Sequence, residues 1–234
     1  MPELFSPDYN SGTPELRVPE ELRAPLRAHL EELRKWYDGV GWGARTGFGK
    51  QPAIVVIDLA LGWTQSKGMM GSNIDSVVEA TVRLLDAGRD AGVPIFFTTS
   101  PNDPADPPRH RKALGWADYN PDKDRIFELD PRLGRRETEK IIYKPYASAF
   151  NNTNFQNMLT VLGVDTLIVT GVSTSHCVYA TCRDGSGVFR VVVPREAVGE
   201  RCELMHEVNL LDIDIDCGDV MSTDEVIAAM VATQ

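Results

Sequence analysis

The stretch of sequence that decides the fold is Ala53-Ile54-Val55-Val56-Ile57-Asp58-Leu59. Its apolar residues follow one another without polar alternation, which is typical of a strand buried on both faces of a parallel sheet. Similar runs at 93–99, 165–170 and 188–193, and shorter ones at 140–144 and 219–221, predict further strands. The chain therefore carries the pattern of a largely parallel sheet.

Helical patterns lie between these strands. Residues 74–91 place valines and leucines on one broad face, as an amphipathic helix does. Further helices are predicted at 153–163, capped by Asn151 or Asn152, and at 224–232, capped by Thr223. Strands that alternate with helices predict right-handed βαβ units. The expected fold class is α/β, with three layers, α-β-α, and helices on both faces of one sheet.

Two segments fall outside this pattern. Residues 1–50 contain Pro2, Pro7, Pro14, Pro19 and Pro25, which predict that no long helix forms early; a short amphipathic helix is expected at 26–37. The same segment holds four aromatic residues that would be exposed to solvent if the segment were an isolated arm: Trp36, Tyr37, Trp42 and Phe48. Because aromatic side chains are costly to leave in water, an arm that packs on a neighbouring subunit is favoured over a solvated one. The second segment, 100–139, is long and weakly periodic, as functional lids and oligomer contacts often are.

We therefore divide the chain into an N-terminal arm, 1–50, and a main domain, 51–234. Lysine and arginine number 24 and aspartate and glutamate 34, so the net charge is −10 and the pI is near 4.9. Such an acidic chain repels phosphate backbones and anionic lipid, so neither nucleic acid nor membrane is expected as a partner. No secretory leader or long apolar run is visible, and the four cysteines form no CxxC pair. We expect a cytoplasmic protein with reduced thiols.

Three titratable residues follow predicted strands and are the candidate catalytic residues. Asp58 ends the first strand, Lys144 ends the strand at 140–144, and Cys177 follows the strand at 165–170 through a small polar loop. Ligands of open parallel sheets bind beyond the carboxyl ends of the strands. We therefore expect the three side chains to converge at one edge of the sheet.

Each residue also has a purely structural interpretation. A lone cysteine is most often a small buried hydrophobe, Asp58 would cap the turn after its strand, and Lys144 would lie on the surface. Convergence favours chemistry instead. Cys177 would lie at a helix N-terminus that stabilises a thiolate, and Asp58 would be a partly desolvated general base. Lys144 between them would balance both negative charges and favour the thiolate.

The histidines near these positions are not expected to take part in catalysis or metal binding, whereas the arginines have two possible roles. His176 adjoins Cys177, but neighbouring residues at a helix start point about 100° apart, so a Cys–His pair is not expected. The four histidines show no HxH or HxxxH spacing, so no metal is expected. After the fifth strand, Arg195 or Arg201 would bind a substrate carboxylate, or would form a structural ion pair.

At these residues the sequence resembles the isochorismatase-like superfamily of cysteine hydrolases, most closely the branch of N-carbamoylsarcosine amidase and maleamate amidase. The resemblance runs from about residue 36 to the C-terminus, and the shared order of the motifs makes it specific. The matching motifs are Gly47-Phe48-Gly49, Ile57-Asp58, Trp63-Thr64-Gln65, Tyr146-Ala147-Ser148-Ala149-Phe150, Gly171-Val172-Ser173-Thr174-Ser175-His176-Cys177-Val178, the stretch 195–201, Asn209-Leu210-Leu211-Asp212-Ile213-Asp214 and Gly218-Asp219-Val220. Residues 100–139 match neither branch well, and glycines at 185 and 187 predict a short or irregular helix after Cys177.

The resemblance implies a six-stranded, mostly parallel sheet and a catalytic triad of Asp58, Lys144 and Cys177. It also implies a cis peptide bond between Val172 and Ser173. The backbone N–H groups of Ser173 and Cys177 would then receive the oxyanion of the reaction.

The resemblance further implies that Arg201 contacts a substrate carboxylate, and Trp63 and Gln65 are candidate substrate-binding residues. The segment that holds the last two leans toward the carbamoylsarcosine branch. The metal site of the nicotinamidase branch has no counterpart, so neither metal nor cofactor is expected. The family forms oligomers, and we expect a homodimer or homotetramer.

The sequence therefore predicts a cysteine amidohydrolase that cleaves a terminal amide or ureido group of a small carboxylate-bearing molecule. The reaction would release ammonia through a thioester intermediate. Maleamate, or another amide used within the superfamily, is the alternative substrate. An alternative of another class is a binding or scaffold protein of the same fold that lacks catalysis, in which Cys177 would be no more reactive than the other cysteines. A disulfide-exchanging enzyme is disfavoured because no second cysteine lies at CxxC spacing.

Overall fold

Seven strands and seven α-helices form the fold in the residues that the structure describes. The structure is a computed structural model, and it describes residues 12–65, 71–100 and 125–233. The strands are β1 (Pro52–Ile57), β2 (Ile95–Thr99), β3 (Lys140–Tyr143), β4 (Thr166–Val172), β5 (Arg190–Pro194), β6 (Val198–Gly199) and β7 (Asp219–Met221). The helices are α1 (Glu20–Gly39), α2 (Leu61–Thr64), α3 (Asp75–Asp90), α4 (Phe155–Val161), α5 (Tyr179–Gly185), α6 (Glu203–Asp216) and α7 (Thr223–Val231). None of the described helices combines the length and the apolar character needed to cross a membrane.

All seven strands belong to one parallel sheet. Six of them follow the order β3-β2-β1-β4-β5-β7, and β6 pairs with the end of β4. The central strands β1 and β4 pair along the whole of β1, from Pro52 with Thr166 to Ile57 with Gly171. The three-layer α/β prediction is confirmed. The six expected strands are those of the continuous order, and β6 is a seventh that has only two residues and hence no sequence periodicity.

Helices cover both faces of the sheet, as predicted. In β1, Ala53, Val55 and Ile57 belong to one apolar layer and Ile54 and Val56 to the other, and all five are completely buried. The first layer lies under α4, α5 and α6, and the second lies under α3 and α7. This double burial explains the unbroken apolar run of β1, because neither face of the strand reaches water.

The N-terminal region contains a helix at the place where a short one is expected, 26–37, but it is much longer than the sequence pattern indicates. The helix α1 extends over 20 residues with Pro25 inside it, so the prediction that the prolines prevent a long early helix is wrong. Proline removes a backbone hydrogen bond, and contacts with α6 offset that loss. Three arginines of α1 pair with three buried carboxylates of α6: Arg23 with Glu203, Arg27 with Glu207 and Arg34 with Asp214. The domain boundary at residue 50 and a role of the arm in oligomers stay predictions.

Two helices begin at other residues than the sequence indicates. The helix α4 begins after Asn154, beyond the asparagines expected to cap it. The helix α7 begins after Ser222 rather than Thr223. The Ser222 hydroxyl accepts from the Glu225 N–H, and the Glu225 carboxylate accepts from the Ser222 N–H. This reciprocal capping satisfies two backbone donors at once, which favours Ser222 as the cap.

The long excursion after β2 is described only in its last part. Residues 101–124, on which most of the prediction of a lid or oligomer contact rests, lie outside the described residues. After them, Ile126 and Leu133 are buried in the fold. The Arg89 guanidinium of α3 pairs with Glu139 over 2.8 Å just before β3 begins. The return of the chain to the sheet edge is thus anchored to α3.

Candidate active site

Asp58 lies at the carboxyl end of β1, in the centre of the sheet. Its φ of 50° falls in the left-handed region, which aspartate tolerates better than most residues, and the chain turns sharply there toward α2. The Thr98 hydroxyl on the neighbouring strand β2 donates to Asp58 Oδ1 over 2.7 Å, and its oxygen accepts from the Asp58 N–H over 3.1 Å. One buried threonine therefore orients both the backbone and the carboxylate of Asp58.

Lys144 follows the edge strand β3, and its side chain reaches past β2 to Asp58. The Lys144 N–H donates to the Thr99 carbonyl over 3.0 Å, which continues the parallel pairing one residue beyond β3. The ammonium lies 2.7 Å from Asp58 Oδ2, and it donates to the Tyr146 carbonyl over 3.2 Å and to Cys177 Sγ over 3.3 Å. An ammonium has three hydrogens, and each has a protein partner here.

Cys177 lies in a single π turn, Thr174–Val178, that joins β4 to α5. The preceding Val172–Ser173 peptide bond is cis, as the resemblance implies. The Cys177 carbonyl accepts from the Thr181 hydroxyl over 2.7 Å, and that hydroxyl accepts from the Ala149 N–H over 3.1 Å. The turn is thereby tied to the segment that follows Lys144.

The three side chains expected to converge do lie together at one edge of the sheet. The thiol of Cys177 is hydrogen-bonded to both Asp58 and Lys144. Burial and, after it, the negative charge of Asp58 raise the pKa of Cys177 to about 12, against the opposing effect of Lys144. Lys144 lowers the pKa and so favours the thiolate, as expected, but burial and Asp58 outweigh it, and the protonated thiol is the stable form at neutral pH.

Lys144 keeps its charge in this setting. Burial acts to lower the pKa of Lys144, but the charge of Asp58 and the hydrogen bonds to Asp58 and Cys177 outweigh it and raise the pKa. The site thus holds a charged ammonium beside a carboxylate and a neutral thiol. In this arrangement the sulfur carries a proton, and the Asp58 carboxylate that can accept it is in contact.

Contacts from β6 and α6 hold the outer side of the turn, and sequence reasoning missed them. The Thr174 hydroxyl donates to the Gly199 carbonyl over 3.1 Å, so its oxygen accepts from His206 Nδ1 over 2.9 Å. Burial lowers the pKa of His206 to about 3, so the imidazole is neutral. Glu200, only 1% exposed, accepts from the Ser175 N–H over 3.1 Å and the Ser175 hydroxyl over 2.6 Å.

The residues that sequence reasoning missed differ in how readily the sequence pattern could have identified them. Thr98 is a hydroxyl residue at the carboxyl end of a strand beside the strand of Asp58, so strand order alone would have made it a candidate. Glu200 left no such signal, since a glutamate in a loop is normally exposed.

The proposed substrate-binding residues lie on segments around the same edge. Arg201 follows β6, which pairs beside the carboxyl end of β4. Trp63 in α2 is partly buried against the apolar layer under α3, and Gln65 is exposed directly after α2. Arg195 pairs with Glu196 over 3.3 Å, which is the structural alternative for that arginine. The substrate roles of Arg201, Trp63 and Gln65 stay predictions.

His176 lies on the solvent side of the turn, as expected. Its side chain is exposed, and Nδ1 is 2.7 Å from the Ser175 hydroxyl. Across the three described ranges, no group of three or more histidine, cysteine, aspartate and glutamate side chains is arranged to hold a metal ion.

The parallel sheet, with a buried acid and ammonium and a partly buried thiol in contact at its carboxyl edge, defines a protein of the cysteine hydrolase class. The chain belongs to the isochorismatase family, since the family model for the isochorismatase domain matches residues 52–225. It is a hydrolase of that family.

Known proteins agree with this assignment. The chain is 35% identical over 219 residues to N-carbamoylsarcosine amidase of an Arthrobacter species, covering 88% of this chain and 83% of that relative. It is 34% identical over 203 residues to maleamate amidohydrolase of Pseudomonas putida, covering 83% and 93% of the two chains. A solved cysteine hydrolase from Pseudomonas syringae pv. phaseolicola superposes with a TM-score of 0.72 at 23% identity, over 81% of this chain and 97% of that one. The last match shows a shared fold.

Proposed function

We propose that this hydrolase is a cysteine amidohydrolase that cleaves a terminal amide or ureido group of a small carboxylate-bearing molecule and releases ammonia. The observation that carries the proposal is the contact of Cys177 with both Asp58 and Lys144 in a buried site. The two relatives at 34% and 35% identity are named for maleamate and N-carbamoylsarcosine, which supports this substrate class. Asp58, Lys144 and Cys177 are the proposed catalytic residues.

In the first step Asp58 accepts the thiol proton of Cys177 while the sulfur attacks the carbonyl carbon. Because burial and the charge of Asp58 raise the pKa of Cys177 far above neutral, the thiol is protonated at pH 7. The proton must therefore leave during the attack, which requires a base in contact with the thiol. As negative charge moves from the carboxylate to the sulfur, Lys144 remains in contact with both atoms and stabilises each state.

The N–H groups of Ser173 and Cys177 are proposed to receive the oxyanion. In a regular α-helix the Ser173 carbonyl would accept from the Cys177 N–H. In this π turn it accepts from the N–H groups on either side, His176 over 2.9 Å and Val178 over 3.2 Å. This shift supports a Cys177 N–H that is directed at substrate. Loss of one oxyanion donor typically lowers kcat by about 10² to 10³.

The remaining steps return the proton and free the enzyme. Protonated Asp58 gives its proton to the departing nitrogen, so ammonia leaves and a thioester to Cys177 remains. Water then attacks the thioester carbonyl while Asp58 accepts a proton from the water. When the carbon–sulfur bond breaks, that proton returns to the sulfur, and the acid product is released.

The substrate carboxylate is proposed to bind Arg201, with Trp63 and Gln65 beside the leaving group or the carbon chain. An arginine binds a carboxylate through two parallel N–H···O contacts, which fixes orientation as well as affinity. Maleamate or another amide used in the superfamily is the second candidate substrate. We further propose that the active form is a homodimer or homotetramer and that it acts in the cytoplasm.

Ammonia release from a panel of N-carbamoyl amino acids, maleamate and nicotinamide tests the proposal. We expect turnover of at least one carboxylate-bearing substrate, and transfer of its acyl group to added hydroxylamine. Cys177→Ser should lower kcat at least about 10³-fold while the protein stays folded. Cys217→Ala is the matched control, because Cys217 ends α6 at the amino edge of the sheet.

Full activity of Cys177→Ser would contradict the proposed mechanism. Saturable binding of panel members without turnover would instead indicate the alternative class, a ligand-binding protein of this fold.

A further inference from the structure

Glu200 is a buried carboxylate beside the proposed active site that the mechanism above does not use. It directly follows β6, whose Gly199 pairs with Val172 at the end of β4. This pairing places Glu200 next to the start of the turn that carries Cys177. The side chain is only 1% exposed, and a buried carboxylate is costly unless donors surround it. Its hydrogen-bond partners therefore indicate what it holds in place.

The two oxygens of Glu200 hold two different segments. Oε2 accepts from the N–H and the hydroxyl of Ser175, over 3.1 Å and 2.6 Å. Oε1 accepts from the N–H of Arg201 over 2.9 Å. Ser175 lies two residues before Cys177 in the same turn, and Arg201 is the proposed contact for the substrate carboxylate. A single side chain thus joins the nucleophile turn to the substrate-binding segment.

The residue directly before Cys177 belongs to the same network. The Ser175 hydroxyl has one proton, which it donates to Glu200, so its oxygen accepts from His176 Nδ1 over 2.7 Å. His176 Nδ1 also lies 4.0 Å from Glu200 Oε2. Ser175 thus donates to the carboxylate directly, and His176 joins the network through the Ser175 hydroxyl.

We propose that Glu200 is a positioning residue that fixes the Cys177 thiol relative to Arg201, so that a substrate held by its carboxylate presents its carbonyl to sulfur. This inference rests on the proposed function. It assigns to Glu200 a share of substrate specificity as well as of rate. A displacement of about 1 Å between nucleophile and substrate lowers the rate by about 10²-fold.

Glu200→Gln is the informative change because it conserves shape and removes acceptor capacity. A carboxylate accepts at both oxygens, whereas an amide accepts at one and donates at the other. In either amide orientation, the NH₂ group faces an N–H donor, either that of Ser175 or that of Arg201. One of the two links must therefore break.

Glu196→Gln provides a matched control from the same stretch of chain. Glu196 accepts from the N–H and the hydroxyl of Thr223, over 2.7 Å and 2.8 Å, at the start of α7. The change removes the same kind of contact at a position outside the proposed site. Any general loss of stability through a missing carboxylate should affect both variants.

The test compares alkylation of Cys177 by iodoacetate and by iodoacetamide, followed by mass spectrometry of the peptide that contains Cys177. The quantity compared is the rate with iodoacetate divided by the rate with iodoacetamide. Dividing the rates cancels the intrinsic reactivity of the thiol, so the ratio reports how well a bound carboxylate is aligned with the sulfur. Removing a nearby negative charge would, by simple electrostatics, raise this ratio. If Glu200 positions Arg201, the ratio instead falls at least about threefold in Glu200→Gln and stays at the wild-type value in Glu196→Gln.

Turnover of the best panel substrate provides the second readout. We expect kcat/KM of Glu200→Gln to fall by at least about 30-fold, with both kcat and KM affected, in a variant that still unfolds in one cooperative thermal transition. A raised or unchanged ratio, or a loss of activity no larger than that of the control, would overturn the proposal. If no panel member is turned over, the proposed function fails while the alkylation ratio still tests the positioning role. If Glu200→Gln does not fold, Glu200→Asp, which keeps the charge but is one methylene shorter, is measured in the same way and should lower the ratio.

Discussion

Replacing Asp58 with asparagine should move the reactivity of Cys177 in opposite directions toward an alkylating agent and toward an amide. Asparagine has the size of aspartate, and its Oδ1 can still accept from the Thr98 hydroxyl, which lies 2.7 Å from Asp58 Oδ1 in the wild type. Lys144 stays 3.3 Å from the sulfur. The change removes the negative charge and the proton acceptor beside the thiol, and it replaces the Oδ2 that pairs with Lys144 over 2.7 Å by an NH₂ group.

The size of both effects follows from the site. Burial, with the negative charge of Asp58 as the next cause, raises the pKa of Cys177 to about 12. A like charge in contact changes a pKa by roughly 1 to 3, so its removal should raise the thiolate fraction at pH 7 about 10- to 1000-fold. Loss of a general base lowers turnover by about 10²- to 10⁴-fold. Alkylation should therefore accelerate in the variant while ammonia release nearly stops.

Iodoacetamide labelling at several pH values, together with ammonia release, measures both quantities on the same preparations. In the wild type the labelling rate of Cys177 should still be rising at the highest pH at which the protein stays folded, because burial and Asp58 raise the pKa of the thiol and deprotonation limits the rate. In Asp58→Asn the rate should level off at a lower pH. The partly buried Cys202 serves as an internal reference in each sample. If labelling and turnover fall together, Asp58 does not hold the thiol in its protonated form, and the reasoning is refuted.

Three further changes test the supports of the site and the fold. Thr98→Val removes the hydroxyl that orients the neighbouring carboxylate and should lower kcat about tenfold. It also leaves the buried Asp58 N–H without its acceptor, so the thermal midpoint should fall by a few degrees. An unchanged kcat would count against the orienting role. Gly171→Ala should strongly lower the melting temperature measured by circular dichroism, because φ is 108° and a Cβ would lie 2.0 Å from a carbonyl oxygen of β1; a wild-type melting curve would show that the strands can move apart. Arg34→Met removes one ion-pair partner of the buried Asp214 and should lower the free energy of unfolding, measured by urea denaturation, by about 3 kcal/mol. Arg83→Met breaks the exposed pair with Asp224 and should lower it by less than about 1 kcal/mol. Equal losses would contradict the ranking of the two pairs by burial.

The sheet and the convergence of the three catalytic candidates could be predicted because they depend on local pattern. A strand buried on both faces has to be apolar throughout, and parallel strands bring their carboxyl ends to one edge. Asp58 and Cys177 follow such strands and Lys144 follows the edge strand β3, so their meeting required only that the strands lie close together in the sheet. The order of family motifs added the cis peptide bond between Val172 and Ser173, which the structure contains.

The long helix α1 shows where local rules fail. Proline disfavours a helix interior by local geometry, yet α1 continues through Pro25. The contacts that favour the helix come from α6, about 180 positions later in the chain, where buried carboxylates meet its arginines. No window of sequence around residue 25 contains that information.

The sequence by itself determined the layered α/β fold, the position of each candidate catalytic residue at a strand end, and family membership. Only the tertiary structure decided the protonation of Cys177, the threonine that orients Asp58 and the burial of Glu200. The physical reason is that hydrophobic periodicity is written in consecutive residues, whereas a pKa or a hydrogen bond depends on distances and solvent exclusion between elements remote in the chain.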